Sequence, residues 1–178
     1  MNRSLDVGIT ARPLDLPESV SEQQLMRDPF VLVVPRAYLD QASTSIHKMA
    51  CLPFLRYDRN QLIGRQIATH LTRLKLHPLG KVELDSNQAI FGLIAAGAGW
   101  TISTPLGFQR ARQFQGLIDI YPLPFASFCR TISLCHGDDW AAETAAVIAS
   151  IPRGILQTEI ILPGIKGLPW LNDLFVIA

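Results

Sequence analysis

The unbroken apolar run Phe30–Val34, stopped by Pro35, predicts a strand buried on both faces. Leu5–Ile9, apolar except for Asp6, predicts a buried parallel strand, and Pro13 and Pro17 mark the loop that leaves it. Pro53–Tyr57 predicts another strand. From about Asn60 to Leu74 the period changes to that of a helix. Ile63, Ile67, Leu71 and Leu74 form one apolar stripe there, and Arg65, Arg73 and Lys75 fall largely off it. Short helices are expected at Ala37–Leu39 and Ser45–Ala50.

Val82–Pro105 organises the middle of the chain. An apolar run into Leu84 meets Asp85-Ser86-Asn87, residue types that accept hydrogen bonds from the first free amides of a helix. Ile90, Phe91, Leu93 and Ile94 continue at roughly helical spacing, and Gly97 and Gly99 end the helix. Trp100–Ser103 then predicts a second strand, so the stretch predicts a compact parallel crossover. A helix over Pro105–Gln115 and strands at Leu117–Leu123 and Arg130–Cys135 follow. Asp138 and Asp139 open a last helix, in which Trp140, Ala141, Thr144, Val147, Ile148 and Ile151 are the expected core face. Beyond Pro152 the glycines and prolines break the pattern.

Composition narrows the function classes. Hydrophobic residues make up 48% and charged ones 17%, a globular balance. The net charge of +1 gives no electrostatic case for a polyanion partner. The three cysteines, Cys51, Cys129 and Cys135, are unevenly spaced and predict reduced, buried thiols rather than a disulfide framework. Asp6 stands where a signal peptide needs an apolar core, and Ala89–Ile102 falls short of the ~20 residues that span a bilayer. The expectation is a soluble cytoplasmic protein without membrane contact. Ser86 lacks the glycines of a nucleophile elbow and is expected to cap a helix. Cys129, Cys135 and His136 lack the paired spacing of a zinc site, and His70 and His77 make no zincin motif. No metal, cofactor or enzymatic activity is expected.

Four segments carry a resemblance: Leu5–Thr10 (LDVGIT), Phe30–Pro35 (FVLVVP), Leu52–Asp58 (LPFLRYD) and the Asp85–Pro105 unit with its AAGAGW and ISTP. In this order and with these gaps they resemble the effector-binding domain of LysR-type transcriptional regulators. The resemblance implies an α/β, two-lobed fold like the type 2 periplasmic binding proteins, N-terminally truncated. One lobe would comprise 1–34 and 138–178 and the other 35–137, with FVLVVP and RTISLCH as the hinge.

The implied function is sensing of a small molecule, a carboxylate, between the lobes of a homo-oligomer. DNA would be reached only through a DNA-binding domain absent from this chain. Carried over by position, the implied ligand residues are Thr10 and Arg12 from one lobe and Tyr57, Arg59, Asn60 and Thr104 from the other. Helix starts after strand ends favour an anion, although Asp58 and Asp85 compete for the same amides. Gly92, Ala95 and Ala96 offer a close approach to a partner, or simply to the sheet. A stand-alone solute-binding protein and a non-sensing oligomerisation remnant are the alternatives.

Overall fold

The structure, a computed structural model, describes residues 7–12, 16–36, 38, 51–80, 82–137 and 140–178. In chain order it contains β1 (Val7–Ala11), β2 (Val20–Pro29), β3 (Val31–Pro35), β4 (Arg56–Tyr57), α1 (Leu62–Arg73), β5 (Glu83–Leu84), α2 (Asn87–Ala95), β6 (Thr101–Ser103), α3 (Pro105–Gln109), β7 (Ile118–Tyr121), β8 (Cys129–Gly137) and α4 (Ala142–Ile155). A π-helical turn, Leu156–Ile161, joins α4 to α5 (Leu162–Lys166), and β9 (Val176–Ile177) ends the chain. The helix expected at Ser45–Ala50 and the pair Asp138–Asp139 lie outside the described residues, as do all but Tyr38 of Ala37–Leu39.

The chain divides into two compact units, Met1–Pro29 with Cys129–Ala178, and Phe30–Phe128. The divisions expected after Val34 and Gly137 lie further along the chain. Among the described residues β3 pairs with β6 and β7 inside the second unit, and β8 pairs with β1 and β2 inside the first.

The first unit is built on an antiparallel sheet of order β1-β8-β2-β9. Of the strand predicted at Leu5–Ile9, the described residues Val7–Ile9 lie in β1, which continues to Ala11. It is antiparallel to β8 (Ile9 opposite Leu134), not parallel, and its Val7 and Ile9 are exposed. β8 also runs antiparallel along the whole of β2, with an irregularity between Gln24 and Met26. Leu25 and Leu134 pack against Ala149, flanked by Ile148 and Leu156.

The core face of α4 is thus Ala145 and Ala149. Thr144, Val147 and Ile151, expected to be buried, are exposed. Alanines let the helix lie close to the strands, and Val147 and Ile151, about half a turn round the helix from them, face away from the sheet. The tail is part of the packing: Leu171 and Phe175 are buried and β9 pairs with β2.

Asp28 is wholly buried. Its Oδ2 accepts hydrogen bonds from Arg130 Nη2 (2.8 Å) and Nε (2.9 Å), a forked pair held by the ladder that sets Asp28 opposite Arg130.

The second unit holds the antiparallel sheet β6-β3-β7, in which Val31–Val34 of β3 are fully buried as predicted. A second, parallel arrangement has β4 in the middle. β5 lies on one side of it and Trp100, bridged to Phe54, on the other. The β5–α2–Trp100 stretch is therefore a parallel crossover that passes over β4. Immediately afterwards Thr101–Ser103 pairs antiparallel with β3, so this stretch serves both sheets.

Ile67 and Leu71 of the α1 stripe are buried, with Gly64 beside them. Ile90, Phe91 and Ile94 are the buried face of α2, and Gly97 follows with φ of 79°, the left-handed conformation anticipated there. The helix predicted over Pro105–Gln115 breaks after α3 and resumes as a 3-10 turn at Arg112–Phe114. The close approach allowed by Gly92 is used inside the chain, since a Cβ there would lie 3.4 Å from the Phe114 ring.

Candidate ligand-binding site

In the second unit three strands each hand over directly to a helix: β4 to α1, β5 to α2 and β6 to α3. Side chains lace the three junctions together. The Tyr57 hydroxyl donates to Asn87 Oδ1 at the start of α2 and lies 2.8 Å from Ser103 Oγ at the end of β6. With its one proton committed to Asn87, it accepts from Ser103. Asn87 Nδ2 donates to the Gly107 carbonyl in α3 (3.2 Å), and Gln61 Nε2 donates to the Asp85 carbonyl (2.6 Å). Tyr57 and Ser103 are buried, so the bonds they make replace lost water. Tyr57→Phe should cost about 1–3 kcal/mol in a urea unfolding experiment, because the part-buried Asn87 carbonyl and the buried Ser103 hydroxyl lose their partner.

The three helix starts differ in how their free amides are used. Ser86 Oγ accepts from Ala89 N and caps α2, as its residue type predicted, and Thr104 Oγ1 accepts from Gly107 N and caps α3. At α1 the N-cap residue is Gln61, and among the described residues no side chain caps that helix. Asp58, a candidate competitor, spends Oδ1 on the Asn60 amide just outside the helix (2.7 Å). The α1 start is fixed tightly: a Cβ on Gly64 would lie 2.2 Å from the Asp58 carbonyl oxygen.

The expected ligand residues separate into two groups. In the second unit, Tyr57 forms the buried junction and Thr104 is a buried cap. Asn60 is at the surface, and Arg59 is exposed with Nε 3.8 Å from Glu83 Oε2. Tyr57 and Thr104 therefore build the site more than they face it. In the first unit, exposed Thr10 donates to the Ala11 carbonyl, and Arg12 Nε sits 3.1 Å from Glu22 Oε2. The anion that Arg12 meets is thus Glu22, whose Oε1 also accepts from buried Ser133 (2.6 Å). Asn87, Ser103, Glu22 and Ser133 were not anticipated. A polar residue inside an otherwise apolar strand, such as Ser133 in TISLC, was the available signal.

The cysteines are more exposed than expected. Cys51 and Cys129 are exposed and Cys135 is partly buried, all as free thiols, so the expected burial does not hold. Cys129 opens β8 next to the unit boundary, where its thiol meets Arg27. Burial pushes the Cys135 thiol above its ordinary pKa, Glu22 adds to the rise and Arg12 opposes it. Cys135 therefore stays protonated near neutrality. His70 stacks on Phe128 with ring centroids 3.8 Å apart, and His136 stacks on Trp140.

Comparison with known proteins places this architecture in the periplasmic-binding-protein-like fold class. Within it the chain belongs to the LysR substrate-binding-domain family, whose profile matches residues 1–146. A Corynebacterium glutamicum OxyR mutant aligns over 92% of this chain and 52% of its own, at 19% identity and a TM-score of 0.73. The Synechocystis CcmR regulatory domain in complex with 2-PG aligns over 86% of this chain and 74% of its own (16%, 0.66). The effector-binding domain of QuiR in complex with shikimate aligns over 83% and 69% (13%, 0.63). The chain spans about half the length of the OxyR protein it matches. No curated protein sequence matches it significantly.

Proposed function

We propose that this chain is the effector-binding module of a cytoplasmic LysR-type transcription regulator, and that it holds a small carboxylate at the start of α1. One observation carries the anionic reading: of the three helix starts joined at this place, α2 and α3 are capped by Ser86 and Thr104 and α1 is not. Free amides and the helix dipole favour a negative group there. The exposed Arg59 guanidinium and Asn60 stand at the same turn and would share the ligand. The small molecules named in the CcmR and QuiR structures support an effector of similar size.

The ligand acts by binding one arrangement of the regulator better than another, which is all it can use to shift an equilibrium. Operator DNA would be contacted by other parts of the whole regulator, and among the described residues of the site no nucleophile is paired with a base.

A thermal melt against a panel of small carboxylates and phosphates tests this. A true effector at 100 times its Kd should stabilise the fold by about 2.7 kcal/mol. Gln61→Asp places a capping carboxylate on the same amides. That variant should melt near the wild-type temperature and lose the ligand response. A full response in Gln61→Asp would place the ligand elsewhere.

A further inference from the structure

The helical run from α4 through the π-helical turn to α5 leaves a large apolar flank uncovered. Val147 is 64% exposed, Ile151 62%, Ile155 56% and Leu162 48%, while Ala145, Ala149 and Ile161 of the same run are buried. Glu143, Val147, Ile151, Gly154, Thr158, Leu162 and Lys166 recur at helical spacing, and all are exposed. This row has a symmetry. Turned end for end about Gly154 and Ile155, it sets Glu143 opposite Lys166, Val147 opposite Leu162, Ile151 opposite Thr158 and Ile155 opposite Gly154.

We propose that this face is an interface between two copies of the chain, packed with their long helices antiparallel across a two-fold axis. Three observations select that occupant. Charge is complementary end to end, since Glu143 lies in the first turn of the run and Lys166 in the last. An antiparallel pair therefore carries two Glu–Lys contacts, whereas a parallel pair would set like charges together. At the centre, nothing lies within 4 Å of the place a Cβ on Gly154 would take, which leaves room for the partner's Ile155. The apolar residues lie between the charged ends, the arrangement of an interface with a dry middle and a polar rim.

By length and composition Glu143–Lys166 would also suffice to cross a membrane. One face of it is packed on Leu25 and Leu134, however, where Arg153 also donates to the Gln24 carbonyl, and its exposed charges, Glu143, Glu159 and Lys166, lack the basic excess of a membrane-surface helix. The proposal is independent of the ligand site in the second unit.

Sedimentation velocity of the full chain across a concentration series tests it, with melts of every variant alongside. The wild type should be a reversible dimer. Gly154→Trp should be monomeric at all concentrations yet still melt cooperatively, because nothing in its own chain lies within 4 Å of the new Cβ. Glu143→Lys and Lys166→Glu should each weaken the dimer about tenfold, since two symmetry-related attractions become repulsions. The double swap should restore it. A chain that is monomeric at all concentrations overturns the proposal, as does a dimer that ignores both the tryptophan and the charge swaps. Flotation of the monomer with phosphatidylcholine–phosphatidylglycerol vesicles would overturn it in favour of a lipid surface.

Discussion

Arg130→Ala is expected to lower the unfolding free energy by about 3–5 kcal/mol, a large share of the total stability of a domain this size. The cause is the carboxylate left behind rather than the guanidinium removed. Asp28 is wholly buried on β2, between β8 and β9 in the first-unit sheet, and Arg130 Nε and Nη2 reach the same carboxylate oxygen. Urea unfolding followed by circular dichroism measures the loss. The combined change Asp28→Leu with Arg130→Met should recover most of it, because removing both charges also removes the desolvation cost. A single variant as stable as the wild type would mean that water reaches Asp28.

Gly64→Ala is expected to cost at least about 3 kcal/mol, at the upper end of what overpacking does. The new Cβ would lie 2.2 Å from the Asp58 carbonyl oxygen and 2.9 Å from the Tyr57 carbonyl oxygen, and backbone cannot swing aside as a flexible side chain can. To relieve the clash, the first turn of α1 must leave the β4 end, so the ligand response should vanish along with the stability. Gly154→Ala is the control. The same substitution at the C-terminal end of α4, where nothing in its own chain lies within 4 Å of the new Cβ, should stabilise the fold of the single chain by about 0.5–1 kcal/mol, because glycine is the more costly helix residue. Opposite signs from one chemical change would show that packing against the Tyr57–Asp58 turn, not helix propensity, fixes α1.

The parts of the fold legible in the sequence were those whose signal is local. The apolar run of β3, the stripe of α1 and the Ser86 cap each depend on a few neighbouring residues and stand where they were expected. Strand direction was not legible at β1, because its partner β8 is remote in sequence and comes back antiparallel. The core face of α4 was misassigned for a related reason. Hydrophobicity nominates Val147 and Ile151, but close packing on Leu25 and Leu134 favours the smaller Ala145 and Ala149.

The candidate site was legible at the level of strand-to-helix junctions. Its chemistry was not. Which helix start remains open depends on Asp58 spending its carboxylate on Asn60 and on Tyr57 reaching Asn87 and Ser103, contacts that no spacing rule reports.

The most direct test of the central claim is an amide NMR titration of the chain with the carboxylate that raises its melt. The first-turn amides of α1, Leu62, Ile63 and Gly64, should move with the binding isotherm, while the capped amides Ala89 and Gly107 should move little. Saturable binding that leaves Leu62, Ile63 and Gly64 unmoved would contradict it.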